Sequence, residues 1–99
     1  MTDKQFNDAF TAAGGWFILT QYETIADWAG EKSDLVDHLF AQGFDVSRKK
    51  TSNRLASVNR LIRENRIEDA IIKCRDSETI NRQHPDAFQR AEDILRKRF

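Results

Sequence analysis

The chain has 99 residues, 39% of them apolar and 32% charged, which suits one domain spanning residues 1–99 with a modest core. Its sixteen bases and sixteen acids cancel to a formal net charge of zero, and Cys74 is its single cysteine. These features exclude an internal disulfide and a cysteine-based zinc site within one chain; with the mixed-charge start MTDKQFNDAF and no long apolar run, they predict a reducing, cytoplasmic setting and no membrane partner.

Thr2 and Gln5 have capping-box spacing, Phe6, Ala9, Phe10 and Ala13 recur at helical intervals, and Gly14-Gly15 closes the segment, predicting a first helix over 3–13. The apolar run Trp16-Phe17-Ile18-Leu19 has no second strand to pair with and reads as a buried extended or single-turn connection. Thr20 and Glu23 repeat the capping-box spacing ahead of Tyr22, Ile25, Trp28 and Ala29, so a short second helix is expected to end at Gly30. Ser33 is the expected cap of a third helix with Leu35, Val36, Leu39 and Phe40. Gly43 stands where a left-handed stop belongs, with Phe44 packing back on Leu39.

Residues 45–50 lack periodicity and read as a loop, after which Thr51 or Ser52 opens a fourth helix striped by Leu55, Val58, Leu61 and Ile62. Asn65 and Glu68 suggest a break and a fifth helix through Ile67, Ala70, Ile71 and Cys74. The polar stretch 76–84 has room for one helical turn. Pro85 is placed at the first position of a last helix whose end carries Arg96, Lys97 and Arg98. The expectation is an all-α fold, a compact orthogonal bundle of five or six short helices. It should bury Phe10, Ile25, Trp28, Leu39, Phe40, Leu55, Val58, Leu61, Ile71, Phe88 and Leu95.

The charges are unevenly distributed. Residues 1–45 hold only Lys4 and Lys32 against eight acids, whereas residues 46–99 hold fourteen bases against eight acids. Within the second half, residues 46–63 contain Arg48, Lys49, Lys50, Arg54, Arg60 and Arg63 and no acid. At about 100° per residue, Arg60 and Arg63 fall opposite the apolar stripe and Arg54 at its flank. Guanidinium forks and compact ammonium charges beside the hydroxyls of Thr51 and Ser52 suit phosphate contact, and Asn53 and Asn59 add hydrogen-bonding amides. The same pattern equally suits a solvated helix face or charges balanced within the molecule, since Glu64, Glu68 and Asp69 follow directly. A helix-turn-helix built from the third and fourth helices is disfavoured by the long connection between Gly43 and Lys50.

The acidic half supports a different class of function. Asp27, Glu31, Asp34 and Asp37 cluster around two helix boundaries and suit a basic protein partner, while opposite halves of two copies suit a homodimer. Trp16, Phe17, Tyr22 and Trp28 are expected in the core rather than as anchors on such a surface. His38 and His84 lack a ligand partner at helical spacing, no serine has a nucleophile signature, and Cys74 reads as a buried structural thiol. No catalytic residue, metal or cofactor is expected. The sequence thus predicts a non-enzymatic regulatory or interaction protein, with nucleic acid as the first candidate ligand and a protein partner or second copy as the alternative.

Overall fold

Gln5 N donates to Thr2 Oγ1 at 3.1 Å while Thr2 N donates to Gln5 Oε1 at 2.9 Å, so the predicted capping box starts α1 (Asp3–Ala13). The computed structural model describes all residues 1–99. It continues with α2 (Gly15–Asp27), α3 (Lys32–Phe40), α4 (Arg48–Arg63), α5 (Ile67–Arg75), α6 (Glu78–Gln83) and α7 (Ala87–Arg98), with no strand. The fold is an all-α bundle of seven helices rather than five or six. The additional helix is α6, where Ser77 Oγ accepts from Ile80 N at 3.2 Å and extends the polar stretch beyond a single turn.

The largest departure from the sequence expectation is α2. Trp16, Phe17, Ile18 and Leu19 are not a connection but its first turn, and Thr20 lies in mid-helix, its hydroxyl donating to Trp16 O at 2.8 Å instead of capping. The cause is burial. This helix touches α1, α4, α5 and α7, so Phe17, Ile18 and Leu19 are all buried and no polar side interrupts the apolar run. A single residue, Gly14, with φ of 84°, turns the chain from α1 into α2. At Gly15 a Cβ would stand 2.3 Å from Ile80 Cδ1 and 3.2 Å from Cys74 Sγ, so α2 approaches α5 and α6 so closely that any side chain there would displace Ile80.

Other boundaries also move. Lys32 begins α3 with Glu31 at the cap position, which places Ser33 inside the helix. Gly43 is left-handed as expected, with φ of 85°, and Phe44 packs against the core, edge-on to Phe17 at 5.1 Å. Ser47, not Thr51 or Ser52, caps α4, its Oγ accepting from Lys50 N at 3.2 Å; Arg48, Lys49 and Lys50 therefore stand on the helix. Thr51 is fully buried and donates to Asp45 Oδ2 at 3.1 Å. The last helix starts at Ala87, two residues beyond Pro85.

Asn65 does not cap α5. It ends α4 in a left-handed conformation with φ of 58°, where Arg66 N donates to Leu61 O at 2.8 Å and Asn65 N to Ile62 O at 3.0 Å, the paired bonds of a Schellman stop. Asparagine tolerates this conformation better than other residues bearing a Cβ.

A cluster of 21 buried residues draws on every helix except α6, which contributes only the partly buried Ile80. The strongest packing joins α1 to α4 and α5 to α7, with α3 on α4 and α2 on α5. Of the expected core, Ile25, Leu39, Leu55, Val58, Leu61 and Ile71 are buried, and Phe10, Trp28, Phe40 and Leu95 are partly so. Phe88 is 51% exposed, because Ala87, Ala91 and Ile94 supply the inward line of α7 and turn it to the side. No helix is long and apolar enough to cross a membrane.

Asn65 is solvent-exposed, so its substitution isolates backbone conformation from packing. Asn65→Val should lower unfolding free energy in urea by about 1–2 kcal/mol, whereas Asn65→Gly should match or exceed the parent. Equal stability of the valine variant would contradict the left-handed stop.

Candidate nucleic-acid interface

The acid-rich and base-rich halves of the chain are partly consumed by pairing with each other. Arg48 Nε meets Asp37 Oδ1 at 2.6 Å, Lys97 Nζ and Arg98 Nε meet Glu23 Oε2 at 3.5 and 3.1 Å, and Arg98 also pairs with Asp27. Hydrogen bonds from Arg98 hold the Asp27 carboxyl below its usual range. The same arginine reaches the Tyr22 ring, whose hydroxyl is raised chiefly by burial. Two of the four acids in the acidic alternative, Asp27 and Asp37, therefore have internal partners, leaving Glu31 and Asp34 unpaired.

Arg54 is the most deeply engaged of the six basic residues in the 46–63 stretch. Its Nε donates to Asp45 Oδ1 and Oδ2 at 3.1 and 2.9 Å, its Nη1 donates to Ala13 O at 2.7 Å, and its guanidinium lies 5.7 Å from the Phe17 ring centroid. Ala13 O belongs to the last turn of α1, so the arginine satisfies a carbonyl that the helix itself leaves open. Its side chain is 27% exposed and that of Asp45 only 7%. Arg48 likewise donates to Ser33 O at 3.1 Å besides Asp37, which docks the start of α4 on α3. Both arginines act within the fold, and residue type alone gave no means of separating them from their neighbours.

Six lysines and arginines lie outside ion-pair reach of any carboxylate: Lys32, Lys49, Lys50, Arg60, Arg63 and Lys73. Four of them stand on α4. Its buried side is formed by Thr51, Leu55, Val58 and Leu61, which turns Lys49, Asn53, Ala56, Arg60 and Arg63 outward along one line at helical spacing. Lys49, Lys50, Asn53, Ala56 and Arg63 are exposed, and Arg60 is half-buried beside a shallow groove of about 310 Å³ that it shares with Asp8, Ala9, Ala12, Ala56 and Ser57. α4 itself carries no acid, although Asp8 of α1 lines the groove beside Arg60 and pairs with Lys4.

The remaining reactive groups are occupied elsewhere. His84 stacks on Trp16 at 3.8 Å with the rings nearly parallel, and Arg90 lies 5.4 Å from the same indole. His38 lies 5.5 Å from the Trp28 ring, whose Nε1 donates to Glu31 O at 3.0 Å. Cys74 is fully buried and donates to Gly15 O at 3.4 Å; burial pushes its thiol up to about 12, so it is protonated at neutral pH. No group of three or more His, Cys, Asp and Glu residues gathers into a metal-binding arrangement.

No protein-family model, curated protein or solved structure matches this chain.

Removing Arg54 strands a nearly buried carboxylate and an open helix carbonyl. Arg54→Ala should therefore cost about 3 kcal/mol in urea unfolding, against under about 1 kcal/mol for Arg48→Ala, whose ion pair is largely exposed. Similar losses for the two variants would refute the structural role assigned to Arg54.

Proposed function

We propose that this protein is a non-catalytic nucleic-acid-binding protein whose ligand phosphates are held by Lys49, Lys50, Arg60 and Arg63 on the outward face of α4. The observation that carries the reading is the concentration there of cations with no carboxylate partner, in a molecule whose other bases are mostly paired. Internal ion pairs lower the energy of a charge in the free protein and compete with a ligand. Unpaired exposed cations retain their attraction for an external polyanion and release its condensed counterions on contact.

This reading narrows the six-residue basic stretch to four phosphate contacts, because Arg48 and Arg54 are held by Asp37 and Asp45. Asn53 contributes an amide, and Ser52 and Asn59 flank the line. Zero net charge keeps long-range steering weak, so affinity depends on this local face rather than on the molecule's overall field.

Binding to mixed double- and single-stranded nucleic acid, followed across a salt series, tests the proposal. Four phosphate contacts predict a log–log salt slope of about −3.6 on duplex, and about −2.8 on single strands. The paired reversals K49E/K50E and R60E/R63E should each abolish binding in folded protein, whereas K32E, at another unpaired lysine, should leave it nearly unchanged. No binding at low salt, or binding indifferent to the paired reversals, overturns the proposal.

A further inference from the structure

The uncharged middle of the α4 face and the absence of aromatic residues from α4 narrow the kind of nucleic acid that fits. Proteins that hold single strands stack bases on aromatic side chains. Every aromatic residue of this chain lies at or before Phe44 or at or after Phe88, so α4 carries none. The exposed phenyls, Phe88 and Phe99, stand on α7 and directly after it.

The face instead alternates charge and neutrality in a way that matches a groove. Lys49 and Lys50 stand at one end of α4 and Arg60 and Arg63 at the other, with Asn53 and Ala56 on the same line between them. At about 1.5 Å of rise per residue the two cation pairs are roughly 18 Å apart along the helix axis. The major groove of B-form DNA is about 12 Å wide and admits an α-helix, so long side chains at both ends reach the phosphates on its two rims. The groove of an A-form RNA helix is too deep and narrow for the same approach. Small side chains at the centre allow the backbone close to the floor. Asparagine presents the donor and acceptor pair that fits the N6 and N7 edge of adenine, and alanine the methyl that packs on thymine.

Resting on the nucleic-acid reading above, we infer that the ligand is double-stranded DNA, with α4 in the major groove, Lys49/Lys50 and Arg60/Arg63 on opposite phosphate rims, and Asn53 and Ala56 facing the base edges. Phosphate contacts set most of the affinity, and Asn53 adds a preference for A·T pairs at the centre of the site.

Competition binding of the full chain to a short DNA duplex, its separated strands, an RNA duplex of the same sequence and heparin, all at equal anionic charge, tests this inference. The DNA duplex should bind at least tenfold more tightly than the other three. In selection from a randomised duplex pool, Asn53→Ala should reduce the preference at one A·T position about tenfold while leaving the salt slope unchanged. Equal binding to all four polyanions overturns the duplex inference and leaves the charged-face reading in place. Tighter binding of the single strands or the RNA duplex overturns it in favour of that ligand. Failure to bind any of them overturns both.

Discussion

Three elements of the fold meet at the guanidinium of Arg54: the last turn of α1 through Ala13 O, the loop before α4 through Asp45, and the inner helix α2 through the Phe17 ring. The geometry around it leaves little freedom. A Cβ on Gly14 would come within 2.6 Å of Arg54 Nη1, so the left-handed glycine that starts α2 also clears the space in which the arginine reaches α1. Thr51 completes the arrangement by donating to the same Asp45 carboxylate from the buried side of α4. These polar groups are largely withdrawn from water and each finds a partner, which is the condition under which a mostly buried ion pair holds a fold in one arrangement.

The direction in which α4 faces follows from that anchor. With Thr51, Arg54, Leu55 and Val58 held inward or at the flank, helical geometry turns Lys49, Asn53, Ala56, Arg60 and Arg63 outward. The pairing of the two chain halves then separates the cations by role. Arg48, Arg54, Lys97 and Arg98 bind the acids of the first half and help close the tertiary structure. The cations left on α4 have no such duty, and the proposed binding face rests on this difference in partnership rather than on the amount of positive charge.

Much of this was legible from local patterns, and the misreadings have physical causes. The Thr2 capping box and the regular apolar spacing behind it located α1 to the residue. By contrast α2 is surrounded by other helices, so its first turn shows no amphipathic period and Trp16 to Leu19 resembled a connection. Thr51 and Ser52 are the hydroxyls that read as caps for α4, but Ser47 caps it and Thr51 is committed to its tertiary partner Asp45. Lys49, Lys50, Arg60 and Arg63 were found through an acid-free run and a helical period. The internal roles of Arg48 and Arg54 depend on partners 11 and 41 residues away, and no local signal marks them.

The claim on which this account rests is that the outward line of α4 is the surface that meets the ligand. Amide chemical-shift mapping of the folded protein during titration with a short DNA duplex at low salt tests it most directly. The account predicts that the perturbed amides form a continuous line through Lys49, Asn53, Ala56, Arg60 and Arg63, with Lys50 at its edge and the region around Glu31 and Asp34 unmoved. Perturbations centred on α7 or on the acidic boundary, or none at all, would contradict it.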